Sequence, residues 1–436
     1  MDNRRDAACR RRLEAVGAST AMLSIRQPNT VHAQEHIMTQ ITSIDPPRTR
    51  SWLAVLSVAL SATVFCTTEF LPVGLLRYIS QGLRVSEGSA GIMITAPGLL
   101  AAIAAPLLTV AVGRFDRRRV LLGLGLLLVI SNLTAMLAPN FATLVVARAL
   151  FGVGIGGFWA ISVGLGGRLV EEAHVGRATS LIFAGVSLGM LIGGPAGALI
   201  GELAGWRTAF AAALALSVAA LIAQWVSLPS LHVTHRVAAR DLLRIFGTRA
   251  ARIGLIAMTL VLCGQFATYT YITPFLAKVS GFGGTVISSL LLGYTFIGLV
   301  GNFIGGSTAQ RNVKATLIAS ILFIAVPLAM LPVLGTSRPW VLVALAAWGT
   351  AYGALPVALQ MWMAQATREV REGGMALFVA NFQISIALGS FVGGRIVDGL
   401  GLFNAMYFGV GLAMVSILTL SLTGGHPRSV DEPATT

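Results

Sequence analysis

Lysine is almost missing from this 436-residue chain: Lys278 and Lys314 are the only two among 31 Lys and Arg residues, and the rest of those are arginine. Charged residues of all kinds make up 11% against 55% hydrophobic ones, and the mean hydropathy is +0.80. A soluble domain needs about a quarter of its residues charged to cover its surface, so that class is excluded. Cysteine is scarce too. Cys9, Cys66 and Cys263 make neither a disulfide framework nor a metal-ligand spacing, and the last two lie in apolar runs, where they read as small buried hydrophobes. No metal site and no cofactor are expected. Clusters of His, Asp, Ser or Cys suited to chemistry at a membrane surface are lacking, which leaves a membrane enzyme as a remote alternative.

What the chain has is apolar runs of spanning length. Twelve are placed at 52–76, 90–112, 120–137, 141–167, 178–201, 208–228, 253–276, 285–309, 315–334, 339–364, 375–397 and 402–422. About 20 apolar residues cross a hydrocarbon core of about 30 Å. Backbone groups in lipid must be satisfied within the segment, so the runs are helices; barrel strands would alternate in polarity. The fold class expected is an all-α integral membrane protein.

The net charge of +14 suggests nucleic acid, but its distribution argues otherwise. Even-numbered connections carry fifteen Arg or Lys and odd-numbered ones five. That bias places both termini in the cytoplasm. No nucleic-acid partner is expected. Residues 1–51 read as a polar cytoplasmic tail that is disordered, with Met38 as an alternative start, and 423–436 as a second tail. The basic stretch 229–252 separates six spans (52–228) from six (253–422), and its Ala239–Phe246 segment suits an amphipathic helix on the inner leaflet.

The two sets of six resemble each other. Gly189, Gly193, Gly194 and Gly201 in span 5 have counterparts 200 residues on, at Gly389, Gly393, Gly394 and Gly401. An even number of spans separates them, so the repeats are parallel and related by an axis along the membrane normal. Such pseudo-symmetric bundles suit a transporter that rocks about a central cavity, and the glycines suit close helix packing.

Only three charges lie inside the spans: Glu69, Arg148 and Arg395. Each costs several kcal/mol of desolvation and needs a reason. Glu69 and Arg148 lie at matching depths, roughly 12 and 10 Å from the ends of spans 1 and 4. Pairing would relieve both penalties, and a pair whose spacing or hydration changes during rocking is a proton switch. A static buried ion pair is the plain alternative. Arg395 and Asp398 are expected to pair at i,i+3.

Several motifs carry a family resemblance. The loop Gly113-Arg-Phe-Asp116-Arg117-Arg118-Arg119 resembles the basic loop between helices 2 and 3 of the major facilitator superfamily, although it lacks that motif's internal glycine. Arg148-Ala-Leu-Phe-Gly-Val-Gly in span 4 is similar to a second family pattern, and Gly189, Gly193, Gly194, Pro195, Gly197 and Gly201 resemble the antiporter helix of its twelve-helix drug:proton branch. Glu69-Phe-Leu-Pro-Val, Gly156-Gly-Phe-Trp159-Ala, Gly205-Trp-Arg and Gly264-Gln-Phe-Ala-Thr-Tyr-Thr-Tyr271 resemble bacterial exporters of purine ribonucleosides.

The resemblance implies proton antiport through Glu69 and Arg148, a gating latch at Asp116, and a cavity lined by helices 1, 4, 7 and 10. Aromatic and amide residues there are the expected substrate contacts: Trp159, Gln265, Tyr269, Tyr271, Trp348, Tyr352, Gln360 and Trp362, with Asn381 and Gln383 from helix 11. They suit stacking on a base and bonding to its edge, and they suit amphipathic drugs equally. The expected function is proton-driven efflux of a small solute by a monomer in the bacterial inner membrane. Purine ribonucleosides lead; multidrug or sugar export is the alternative.

Overall fold

In the computed structural model, residues 48–111, 115–162, 165, 169–171, 174–231, 248–367 and 371–421 are described. Gly113, the Ala239–Phe246 segment, Met38 and residues 1–47 and 423–436 lie outside the described residues, whereas Arg48–Ser51, expected in the tail, already belong to the first helix. Among the described residues twelve helices are long and apolar enough to span a membrane: α1 (Ser51–Leu83), α2 (Glu87–Leu108), α3 (Arg117–Met136), α4 (Phe141–Trp159), α5 (Val175–Ala204), α6 (Trp206–Ser227), α7 (Arg249–Lys278), α8 (Gly284–Arg311), α9 (Val313–Leu334), α10 (Arg338–Ala366), α11 (Leu377–Leu400) and α12 (Leu402–Ser421). Several outrun their apolar stretches. The α1 helix continues to Leu83, past the expected end at 76. Hydropathy measures the hydrocarbon crossing, whereas a helix continues as long as its backbone bonds are made. A turn closes α1 with Arg84 at φ 53° and the Val85 N–H donating to the Ser80 carbonyl.

Helix pairing repeats at an interval of six. α2 packs on α4, α4 on α3, α3 on α6 and α6 on α5; correspondingly α8 packs on α10, α10 on α9, α9 on α12 and α12 on α11. Among the described residues the halves meet chiefly along two seams, α2 against α11 and α5 against α8. These exchange under the same pseudo-twofold relation.

Glycine contacts fix the register. A Cβ on Gly189 would strike the Thr63 carbonyl, and one on Gly389 the Cys263 carbonyl; Gly193 and Gly393 back onto Thr67 and Ala267 in the same way. Both partners in each pair are displaced by 200 residues, so the glycine spacing seen in the sequence is a repeated packing site. One of the four equivalences does not hold. Gly201 lies inside α5 against Tyr78 and Leu75, whereas Gly401 makes the α11–α12 turn at φ 92° and has its counterpart in Gly205 at φ 83°. The turn demands a left-handed residue, which glycine adopts without steric cost, and the match of 201 with 401 was coincidental. The α2–α4 and α8–α10 pairs repeat at 197 instead: Gly152 and Gly156 meet Pro97 and Ala101, and Gly349 and Gly353 meet Tyr294 and Gly298.

Large apolar side chains face outward in a belt that includes Phe303 (80% exposed), Leu203, Val226 and Val333. Apolar exposure on this scale belongs to a surface covered by lipid.

Candidate functional site

Glu69 sits in the middle of α1 and is half-buried. Its Oε1 accepts a 3.1 Å hydrogen bond from Nε2 of Gln383 on α11, in the opposite half. The expected direct pair with Arg148 is not made: no ion pair joins them among the described residues. Arg148, 1% exposed, donates from Nε to the Met93 carbonyl at 3.1 Å and from Nη1 to the Thr68 carbonyl at 3.0 Å. Its guanidinium carbon lies 4.3 Å from the centre of the Phe151 ring. The arginine thus ties α4 to α1 and α2 and sets its charge behind the acid, near enough for each to feel the other's field. Only the carbonyl just before Glu69 is engaged, because helix rotation points the carboxyl toward the other half.

Across from the acid, the second half assembles an aromatic box. The Tyr269 and Tyr294 rings stack with centroids 5.2 Å apart, Trp348 meets Tyr294 edge-on at 5.5 Å, and Tyr352 lies nearly parallel to Tyr269 at 6.5 Å. Gln265 holds the box together. Its Oε1 accepts from Trp348 Nε1 at 2.7 Å, and its Nε2 donates to the Tyr294 hydroxyl at 3.2 Å. All five are buried. A buried tryptophan N–H needs an acceptor, which explains an amide one turn from Tyr269. The Tyr352 hydroxyl is buried with no partner among the described residues, and the residue lies within electrostatic reach of Glu69.

On the side of the odd-numbered connections, polar bonds cross both seams. Asp398 accepts from Ser86 Oγ at 2.6 Å and from the Gly88 N–H at 2.9 Å. Lys278 pairs with Glu87 at 2.9 Å. In the other seam Glu202 accepts from Thr285 Oγ1 at 2.8 Å, and Ser288 donates to the Pro195 carbonyl at 2.7 Å. Thr273 donates to the Val73 carbonyl at 2.7 Å, and Ser390 to the Gly91 carbonyl at 3.1 Å. Among the described residues, cross-half hydrogen bonds gather from the level of Glu69 to this face. The expected Arg395–Asp398 pair gives way to them: Asp398 turns to the start of α2, where exposed N–H groups favour a carboxylate, and Arg395 stays exposed.

The remaining expected residues separate by location. Tyr271 lies in the seam, its hydroxyl donating to the Ser390 carbonyl at 2.8 Å. Asn381 is occupied between the Leu255 carbonyl and the Thr259 hydroxyl. Trp362 bonds to the Ala250 carbonyl at 3.0 Å. Trp159 is half-buried against Phe158, and Gln360 is half-buried. Gly194 faces Tyr269 and Leu291 of the other half, and Gly197 packs on Leu71. Asp116 caps α3 through the Arg118 N–H at 2.9 Å. It also accepts from Ser230 Oγ at 2.7 Å and from the Leu231 N–H at 2.8 Å, so it fastens α3 to the end of α6. Arg118 donates to the Trp225 carbonyl at 2.8 Å, Arg117 is half-buried and Arg119 exposed.

Tyr294 was not anticipated, since helix 8 was not expected to line the cavity; a lone tyrosine in an apolar helix was the available signal. No group of His, Cys, Asp and Glu able to hold a metal occurs among the described residues.

Comparison with known proteins agrees with this architecture. The chain is 32% identical over 373 residues to the purine ribonucleoside efflux pump NepI of Escherichia coli K12, covering 85% of this chain and 94% of the relative. It is 36% identical over 368 residues to a Pseudomonas aeruginosa protein named transcription regulatory protein OpdE, covering 84% and 91%. In fold it is similar to a bacterial homologue of the human lysosomal transporter Spinster in an inward-facing, unoccupied conformation, with TM-score 0.67, 13% identity, and coverage of 86% of this chain and 96% of the other. It is also similar to the human organic anion transporter MFSD10, with TM-score 0.61, 16% identity, and coverage of 86% and 100%. The family model for the Major Facilitator Superfamily matches residues 58–390, and the chain belongs to that superfamily as a secondary transporter.

Proposed function

We propose that this transporter exports a small solute in exchange for protons, with purine ribonucleosides as the leading cargo. The observation that carries the reading is Glu69, a carboxyl in the middle of a spanning helix whose hydrogen-bond partner belongs to the other half. Intramembrane acids are costly and mark proton or substrate pathways. Rocking the halves separates Glu69 from Gln383 and changes its surroundings, which is what a proton-coupled cycle requires. The aromatic box supplies π-faces for a flat base, and the unpartnered Tyr352 hydroxyl a polar contact. Arg148 keeps α1, α2 and α4 in fixed relation behind the acid. The positive-inside bias makes the bonded seam face external, so this conformation is closed to the outside. The 32% identity to a named nucleoside pump supports the cargo.

Uptake of labelled adenosine and inosine into everted membrane vesicles tests this. The expected result is accumulation that collapses when the pH gradient is dissipated and falls at least tenfold in Glu69→Gln. Full gradient-driven uptake by Glu69→Gln would sink the coupling, and preferential movement of a sugar or antibiotic would reassign the cargo.

A further inference from the structure

The core amides of α7 and α11 differ in what they have left to offer. Gln265 spends both ends inside the aromatic box, and Asn381 spends both between α7 and α11. Gln383, 3% exposed, uses only one. Its Nε2 donates to Glu69, and its Oε1 is buried with no partner among the described residues. Glu69 in turn has no other hydrogen-bond partner among the described residues. The ionisable groups in its reach are Cys66 on α1 itself, Arg148 from α4 and Tyr352 from α10. Arg148 bonds to carbonyls instead.

We propose that Gln383 is the positioning residue through which the second half senses whether Glu69 holds a proton. An ionised carboxylate only accepts, whereas a protonated one also donates; an amide carries a donor and an acceptor at the same site. Gln383 therefore faces the ionised acid with its N–H₂ and the protonated acid with its free oxygen, by turning about its terminal bond. The first bond is charge-assisted and roughly twice as strong as a neutral one. Loss of the proton tightens the α1–α11 link, and gain of the proton loosens it. The position suits the task. Gly98 packs on the Gln383 backbone and on Ala387, and Ser390, two turns along α11, closes on Gly91. A change at Gln383 acts directly on the α2–α11 seam. This inference rests on the proton-coupled reading above, and its test keeps the two separable.

The test uses the full chain with its three cysteines replaced by alanine and Ser390→Cys introduced as a reporter buried in the seam. Labelling by an impermeant maleimide is measured in proteoliposomes at pH 6 and pH 8 and normalised to the unfolded protein at each pH. The parent is expected to label about fivefold or more faster at pH 6, the lower end of ordinary coupling strengths, and Glu69→Gln to lose the difference. Gln383→Met, similar in length without hydrogen bonds, is expected to give a ratio of about 1, and Gln383→Asn an intermediate one. If Gln383→Met and Gln383→Asn both keep the parent ratio while Glu69→Gln abolishes it, the inference is overturned and the coupling acid stands. A parent without pH dependence overturns both. Should Gln383→Met fail to purify as a monodisperse protein, Gln383→Asn alone decides: a ratio equal to the parent's overturns the proposal, and a reduced one supports it.

Discussion

The two halves share a backbone plan and divide the chemistry between them. In the register fixed by the α1–α5 and α7–α11 glycines, Glu69 corresponds to Tyr269 and Gln383 to Phe183. In the register of the α2–α4 and α8–α10 glycines, Arg148 corresponds to Leu345 and Tyr294 to Pro97. The first half therefore holds the two central charges, Glu69 and Arg148, and the second the aromatic box. Symmetry in helix packing comes from small residues repeated at backbone crossings, and it places no demand on the side chains facing the centre. Under the proposed proton-coupled cycle, rocking needs matched packing on both sides but only one titrating group, so the central positions are free to diverge.

The largest disturbance to that division is expected at Arg148. Arg148→Ala strands the Thr68 and Met93 carbonyls and leaves a void, a loss of about 3 kcal/mol or more. It should appear as a lower thermal midpoint in detergent, and Arg148→Lys should recover only part of it because an ammonium lacks the planar fork. An unchanged midpoint in Arg148→Ala would mean that the first half does not depend on its charge.

The symmetric hinges come next. Gly189→Val and Gly389→Val each press a side chain on a backbone carbonyl, at Thr63 and Cys263. Each should destabilise by about 1–3 kcal/mol, and the two should agree. If one is harmless, the halves are not packed alike.

The aromatic box is a milder target. Gln265→Leu removes the acceptor of the Trp348 N–H and the donor to Tyr294. If the proposed nucleoside export holds, the KM for adenosine should rise roughly tenfold, about the cost of one buried unpaired donor, while the response to the pH gradient keeps its shape. A change in that response instead would blur the separation of charge from recognition.

The seams should show the smallest effects. Asp398 accepts two bonds beside an ion pair, whereas Glu202 accepts one. Both lie near solvent, where such links are worth less than about 1 kcal/mol. Labelling of Ser390→Cys should quicken about two- to fivefold in Asp398→Asn and less in Glu202→Gln. Equal effects would make the seams equivalent in strength as well as in topology.

Much of this was legible in the chain. Twelve spans, two sets of six and two of the glycine pairs that pack alike, Gly189 with Gly389 and Gly193 with Gly393, follow from hydropathy and spacing. So did the interest of Glu69 and Arg148, since charge in an apolar run stands out without any structure. Their relation was misread. Matching depth suggested a pair, but depth fixes only one coordinate, and helix rotation sends the arginine to two carbonyls and the acid to α11. Asp398 was misread likewise: an i,i+3 neighbour was visible in sequence, and the N–H groups at the start of α2 were not. Tyr294 went unseen because its partners Tyr269, Trp348 and Gln265 come from other helices.

The sequence by itself determined the solvent, the number of crossings and which residues carry an energetic debt in lipid, because backbone satisfaction and hydropathy are properties of each segment alone. Only the tertiary structure decided who settles that debt. A hydrogen-bond partner depends on the rotation and crossing of packed helices, and those are set by contacts between segments hundreds of residues apart, as with Glu69 and Gln383.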